Sequence, residues 1–189
     1  KYFFGSYSQA CNNIKIKPLL DKNIMKGFFD KNEELDDVKI LIDTREQQPL
    51  KFKNSMSMKL DFGDYAVGAP HYDYTYVDRK SEADFKGTMT TGFKRFTREL
   101  ERAQEFDAYI FIVIESSIEA IIKNNMYGPR QSNLKYIWHN MRLLMHKFAK
   151  KCQFVFTGGR AQSEQIIPKL LVYGKKNWET DLQYFIDKQ

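Results

Sequence analysis

Val38-Lys39-Ile40-Leu41-Ile42-Asp43-Thr44-Arg45-Glu46 is the stretch on which the fold turns. Its apolar, largely β-branched first half reads as a buried strand, because such side chains pack well on a pleated surface. The polar quartet that follows puts charge at the strand's C-terminal end, where a site can form.

Working outward, Met56 to Leu60 alternates as a second strand, and Phe62-Gly63-Asp64-Tyr65 is a turn feeding a third, Tyr65-Ala66-Val67. Tyr72 to Lys80, rich in Tyr, Thr and Val, is expected to pair back as a hairpin partner. Gly92 then precedes a helical run with Phe93, Phe96, Leu100 and Ala103 on one face and Lys94, Arg95, Arg98 and Arg102 on the others. The uniformly apolar Tyr109 to Ile114 suits a central strand covered on both faces. Leu134, Ile137, Trp138, Met141, Leu144, Met145 and Phe148 give the clearest amphipathic helix. Phe154 to Phe156 reads as a short strand ending in Thr157-Gly158-Gly159-Arg160. A further helix is expected from near Ala161, kinked or divided by Pro168, and another over Trp178 to Ile186. Strands first as a meander, then alternating with helices, predict an α/β fold with a mixed central sheet flanked by helices.

The chain has 189 residues, 42% of them hydrophobic and 15% aromatic, enough for one large globular core. Its longest apolar run is far shorter than the roughly 18–20 residues that cross a bilayer, so no membrane role is expected, and no leader opens the chain. Cys11 and Cys152 are the only cysteines, which excludes a disulfide framework and favours a reducing, intracellular compartment, cytoplasm or nucleus. A net charge of +6 permits a polyanionic partner without requiring one. Residues 1–36 mix aromatics, lysines and an acidic cluster and read as an N-terminal appendage; residues 37–189 read as the main domain. There is no internal repeat or low-complexity tract.

Four short charged motifs carry the chemistry: Asp43-Thr44-Arg45-Glu46, Gly63-Asp64, Asp78-Arg79-Lys80 and Asp84. Singly they admit plain readings as a strand cap, a turn, or a first-turn helix charge. Together they are more pointed. Residues two apart on a strand share a face, so Asp78 and Lys80 project together while Arg79 points away, and a hairpin brings Asp64 beside the pair. Two carboxylates and a lysine at one sheet edge suit phosphodiester hydrolysis with a hard divalent cation such as Mg2+, which is typically held by one or two carboxylates and the substrate phosphate. The lysine can orient the attacking water.

This pattern resembles the nuclease domain of the xeroderma pigmentosum group F (XPF) family, structure-specific endonucleases of the restriction-endonuclease-like superfamily. The family carries aspartate-x-arginine-glutamate, a glycine-aspartate turn, and glutamate-arginine-lysine followed after three residues by an aspartate. Here these positions hold Asp43, Arg45 and Glu46; Gly63 and Asp64; Asp78, Arg79 and Lys80; and Asp84. The run from Thr91 to Arg102 is also similar to the family's next loop and helix, especially in short viral and prokaryotic members, so a viral origin is one expectation. The resemblance extends from about Val38 to Tyr173.

The resemblance implies a restriction-endonuclease-like core and metal-dependent cleavage of DNA at branches, flaps or forks, as in repair, recombination or replication. By position, Asp64, Asp78 and the backbone carbonyl of Arg79 would hold Mg2+, or Mn2+ in its place, and Lys80 would position the water. Asp43, Glu46 and Asp84 would complete the acidic pocket, while Arg45 would pair with Glu46 or meet a phosphate. Aspartate stands at 78 where many members have glutamate, which shortens that ligand by one methylene. Too few residues follow Tyr173 for the tandem helix-hairpin-helix domain of cellular members, so substrate choice is expected to lie elsewhere. The family's nuclease domains also dimerise, and the face from Leu134 to Phe148 either serves a homodimer or heterodimer or packs on the sheet.

For DNA, branched or containing single strands, Lys94, Arg95, Arg98 and Arg102 are the candidate phosphate contacts; the alternative is a solvated face with Glu99 and Glu101 as partners. Lys15, Lys17, Lys22 and Lys26 form a weaker patch. His71, His139 and His146 assemble into nothing. The competing functions are a noncatalytic DNA-binding or dimerisation subunit, and a phosphodiesterase acting on RNA or a cyclic nucleotide. A subunit without activity should show gaps in the acidic-lysine set, and this chain has none.

Overall fold

The computed structural model describes residues 35–129 and 131–187. The lysine patch and nearly all of the expected N-terminal appendage lie outside the described residues. Six strands form one sheet: β1 (Ile40–Asp43), β2 (Ser55–Met58), β3 (Tyr65–Val67), β4 (Thr75–Lys80), β5 (Tyr109–Ile114) and β6 (Cys152–Phe156). Their order across the sheet is β2-β1-β3-β4-β5-β6. The helices are α1 (Glu82–Thr88), α2 (Phe93–Glu105), α3 (Ile118–Tyr127), α4 (Leu134–Lys147), α5 (Arg160–Tyr173) and α6 (Leu182–Ile186), with 3-10 turns at Leu35–Asp37 and Gly174–Asn177. No helix among the described residues is long and apolar enough to cross a membrane.

β1 pairs antiparallel with β3, and β3 with β4, while β4, β5 and β6 run parallel. The mixed sheet is thus the expected one, but its first part is not a simple meander. β2 pairs parallel with β1 at the sheet edge, because residues 44–54 carry the chain back to the start of β1 before the second strand begins. All four residues of β2 are exposed, which is what an edge strand of alternating Ser and Met permits.

β5 is the central strand predicted from its composition, with every residue at 0% exposure. Its side chains divide between two layers. Ile110, Ile112 and Ile114 join Phe85, Phe96, Leu100, Ile121, Ile137 and Leu144 on the face covered by α1–α4. Tyr109, Phe111 and Val113 join Ile166, Ile167, Leu170, Leu171 and Leu182 on the face covered by α5 and α6. Burial of each such large apolar side chain contributes about 1.5–3 kcal/mol. The pairing of β4 with β5 sets Asp78 opposite Ile112, Arg79 opposite Val113 and Lys80 opposite Ile114. Asp78 and Lys80 therefore belong to the α2 side and Arg79 to the α5 side, as strand periodicity requires.

The stripe of α4 predicted as amphipathic packs on the sheet through Ile137, Leu144 and, at its end, Phe148. Pro168 does not divide α5, which runs unbroken from Arg160 to Tyr173. Ile166, Ile167, Leu170 and Leu171 are all buried around it, and that packing outweighs the missing N–H. The last expected helix is shorter than its apolar pattern suggested: it starts only after Asp181, whose carboxylate accepts from the Tyr184 amide. Trp178 instead stacks on Tyr109 at 5.0 Å between ring centroids and donates its indole N–H to Thr75.

Candidate active site

The site begins at a turn that only glycine can make. Gly63 has φ +58°, and a Cβ there would lie 2.6 Å from the Val77 carbonyl oxygen. This close approach lets the Asp64 amide donate to that same carbonyl at 2.8 Å, while the Asp64 carbonyl accepts from the Asp43 amide at 2.8 Å. Asp64 is thereby fixed between β1 and β4. Its carboxylate Oδ2 accepts the Arg79 amide at 2.7 Å.

On β4 beside it, the Lys80 ammonium lies 2.9 Å from the Asp78 carboxylate. Phe96 of α2 sits over the same ammonium, 4.7 Å from Nζ to ring centroid. Asp64, Asp78 and Lys80 are thus gathered at the C-terminal end of β4 under α2. Burial first, and the Asp78 charge second, push the Asp64 carboxyl up to about 8, against the Arg79 amide that favours its ionised form. Burial works against the charge of Lys80, yet Asp78 and then Asp64 and Glu99 hold its ammonium above the usual lysine range. The lysine remains a cation throughout ordinary pH.

The remaining acidic positions are engaged elsewhere. Asp43 is 2% exposed. Its carboxylate accepts from the Arg45 amide (2.7 Å), Arg45 Nε (2.6 Å), Arg45 Nη2 (2.9 Å) and the Leu60 amide (2.7 Å). Burial opposes ionisation there, but these donors prevail and hold the carboxyl at about 2. Arg45 thus pairs with Asp43 rather than with Glu46. Glu46 accepts from Arg79 Nη2 at 3.1 and 3.2 Å, on the face away from Asp78 and Lys80, though its charge still bears on the Asp64 carboxyl. Arg79 also donates to Glu115 at 2.9 Å, and this buried bridge ties the turn after β1 to the ends of β4 and β5. Burial disfavours the guanidinium, but Glu115 and Glu46 keep it charged, raised above the arginine value. Asp84 is exposed at the start of α1, where its amide donates to the capping Ser81 hydroxyl at 3.2 Å and its carboxylate accepts from that hydroxyl at 2.6 Å.

Next to the Asp78–Lys80 pair is an arginine-lined cavity of about 450 Å³ formed by Arg45, Arg95, Arg98, Glu99 and Arg102. Two of its arginines are held from behind. Arg45 also donates to the Leu60 carbonyl at 2.9 Å, and Arg102 donates to the Asp61 carbonyl at 2.8 Å and lies 4.9 Å over the Phe62 ring. Lys94 is exposed outside this cavity, its carbonyl accepting from Arg98 Nε at 3.3 Å.

Two residues of the site were not anticipated from the sequence. Glu115 follows the apolar run of β5 just as Asp43 ends β1, and that placement was its available signal. Glu99 reads as a surface partner of the helix arginines, but it is half-buried and lines the arginine cavity, where the charges of Asp78, Lys80, Arg102 and Arg45 all bear on it. Burial, and then the Asp78 charge, raise its carboxyl above the usual glutamate range. Glu101 alone behaves as a surface partner, pairing with Lys147 at 2.5 Å. All three histidines are exposed. No group of three or more His, Cys, Asp or Glu able to hold a metal ion occurs among the described residues. Asp64 and Asp78 form a two-carboxylate set, a number typical of what proteins supply to Mg2+.

No protein-family model matches the chain, and no curated protein matches its sequence. Among solved structures it is similar to XPF from Aeropyrum pernix, at 18% sequence identity and TM-score 0.54, over 77% of this chain and 69% of that one. It is likewise similar to XPF from the same organism in complex with DNA, at 19% identity and TM-score 0.55, over 74% of this chain and 66% of that one. The chain therefore shares the fold of those structures over these spans, and the expected α/β core, a mixed central sheet flanked by helices, is borne out.

Proposed function

We propose that the protein is a divalent-metal-dependent endonuclease that hydrolyses phosphodiester bonds in DNA. The observation that carries this reading is the meeting of Asp64, Asp78 and Lys80 at the end of β4, beside a cavity walled by four arginines. The donor set fits a hard cation. Asp64 is pushed toward its protonated form by burial and by Asp78, and a divalent cation between the two carboxylates would relieve both effects. Asp64, Asp78 and the Arg79 carbonyl would hold Mg2+ or Mn2+, which offsets phosphate charge and acidifies a bound water.

The chain's own groups do the rest. Lys80, kept cationic, orients the attacking water through its ammonium. The Asp43–Arg45 and Glu46–Arg79–Glu115 contacts position the strand ends that carry Asp64 and Asp78, and Asp84 secures the helix that follows Lys80. Arg45, Arg95, Arg98 and Arg102 take strand phosphates, with Lys94 adding charge at the rim; such contacts give affinity without sequence preference. XPF from Aeropyrum pernix in complex with DNA supports DNA as the polymer. Flaps, forks and other branched or partly single-stranded DNA are the proposed substrates, with a second nuclease-fold chain as the proposed partner.

The test is incubation of labelled flap, fork, nicked and single-stranded DNA with Mg2+ or Mn2+, comparing the parent protein with Asp64→Asn and Lys80→Ala. Cleavage by the parent alone is expected. Equal cleavage by all three proteins, or by none on any substrate, overturns the reading.

A further inference from the structure

Tyr76, Asp78 and Lys80 alternate onto one face of β4, so the face that carries the acid and the lysine continues toward the start of the strand as an aromatic one. Tyr76 lies about 7 Å from Asp78 along the strand. It is buried, and from it a chain of rings leads to the surface. Between centroids, Tyr76 lies 5.5 Å from Phe62 and 6.1 Å from Tyr72, Tyr72 lies 5.2 Å from Tyr74, and Phe62 lies 5.8 Å from Phe106. The outer rings, Tyr72, Tyr74 and Phe106, are 40%, 50% and 62% exposed.

Beside these rings is a cavity of about 310 Å³ whose apolar wall includes Leu41, Met58, Leu60, Ala66, Tyr72 and Tyr76. The segment Leu60-Asp61-Phe62 joins it to the arginine cavity. Leu60 and Asp61 line the apolar cavity, while their carbonyls accept from Arg45 and Arg102, and Arg102 lies over Phe62. The charged residues of the apolar cavity, Lys59 and Asp61, cancel, so it has no net charge with which to hold a phosphate. It suits the other half of a nucleotide. A flat base stacks on tyrosine or phenylalanine whatever its sequence, and its phosphates would lie toward the arginines. The Tyr72 and Tyr76 hydroxyls hydrogen-bond at 2.6 Å, which uses one of their two hydrogens and leaves the other for an acceptor on a base edge.

The backbone points the same way. Tyr74 holds φ +66°, a left-handed conformation rare for a bulky residue. Its exposed ring gains little burial in return, and strain of this kind collects at ligand-binding positions.

We infer that these rings and the cavity beside them form a stacking site for unpaired bases of a DNA strand whose phosphates run through the arginine cavity. The inference rests on the proposed DNA reading and assigns the single-stranded part of the substrate to this surface.

The test compares, in chelator, binding of a single-stranded oligothymidine and of an abasic strand of the same length and charge. The parent protein is expected to bind the thymidine strand about tenfold more tightly. Tyr74→Gly should remove most of that preference and leave the affinity for the abasic strand at its parental value. Its thermal midpoint should be unchanged or higher, because glycine accepts the left-handed conformation. Tyr72→Phe should keep the preference and Tyr72→Ala lose it. A merely structural ring would instead lower the midpoint of Tyr74→Gly and leave the preference intact, which overturns the inference. Equal affinity of the parent for the two strands overturns it without any variant having to fold, and is also the result expected if the chain's own residues or another protein occupied the surface. A change of association state in Tyr74→Gly, read by sedimentation, would put a second copy on the rings and likewise overturn it. Each of these leaves the proposed function standing, since cleavage is read separately. A parent that binds neither strand and cleaves no DNA removes both.

Discussion

The Arg79 amide donates to the Asp64 carboxylate at 2.7 Å, so the acid of the Gly-Asp turn is clamped to the strand that carries Asp78 and Lys80. That single bond couples three elements. The turn fixes Asp64, the strand's alternation sends Asp78 and Lys80 to one face, and the Arg79 side chain is free to anchor the other face through Glu46 and Glu115. A site built this way has measurable consequences for stability as well as for chemistry.

The first concerns pH. The Asp64 carboxyl is raised from 3.8 to about 8, so between those values the folded protein holds a proton that the unfolded chain has lost. Stability without metal must therefore fall as pH rises through that window. Asp64→Asn carries no charge and should flatten the fall, with a higher thermal midpoint than the parent at about pH 8 in chelator and a gap that closes toward about pH 4. Mn2+ should reverse the order, raising the parent's midpoint more at about pH 8 than at about pH 5, where it competes with a proton. Thermal melts across pH, with and without Mn2+, check both signs. Cleavage by Asp64→Asn should fall by about a hundredfold or more.

The second concerns Arg79, whose side chain is 9% exposed and bridges two carboxylates that are 7% and 10% exposed. Arg79→Met leaves Glu46 buried without its cation and Glu115 with only the longer contact to Arg160. Removing one partner of a buried pair costs about 3–5 kcal/mol. Arg160, whose Nη1 lies 3.6 Å from Glu115, is too far to replace the lost hydrogen bond. Adding Glu46→Gln and Glu115→Gln to Arg79→Met should restore much of the loss. Urea denaturation of the single and triple variants measures it, and a single variant as stable as the parent would show that the bridge contributes nothing net.

Gly63 gives a third. Alanine there must hold φ near +58° and meet the Val77 carbonyl, so the turn opens or β4 moves. The left-handed conformation alone costs about 1–2 kcal/mol for a residue with a Cβ. Because Asp64 follows directly, Gly63→Ala should lower cleavage more than its stability loss explains. Comparing turnover with thermal midpoint separates the two.

What the residues disclosed follows from which forces are local. The alternation in β4 and the apolar run of β5 were legible because a strand has a two-residue repeat, and the helix faces of α2 and α4 because a helix has its own. The parallel pairing of β2 was not, since nothing in Met56 to Leu60 says which neighbour it takes. The unbroken α5 was not, because the packing around Pro168 is tertiary. α3 could have been read from Ser117, which caps it, but the weak periodicity after it hid the helix. At the site, the Asp64, Asp78 and Lys80 grouping followed from spacing, while the partners of Arg45 and Glu46 did not. Arg45 lies two residues from Asp43 and one from Glu46, and only the sheet decides that Glu46 turns to the face where Arg79 waits.

The arginine cavity supplies the last prediction. Arg95 and Arg98 share it with Arg45 and Arg102. Arg102 also packs on Phe62, so its removal would mix lost charge with lost packing. Arg95→Ala and Arg98→Ala are the cleaner probes. Each phosphate contact removed should reduce the slope of log binding constant against log salt by about 0.7–0.9, the lower figure for single strands. Both changes together should reduce it by nearly twice that, and DNA affinity should fall most at low salt. Lys94→Ala, outside the cavity, should alter the slope less than either arginine. Binding of labelled DNA across a salt series reads this directly. An unchanged slope in the double variant would move the DNA path off α2, and with it the reason for setting four arginines beside an acidic centre.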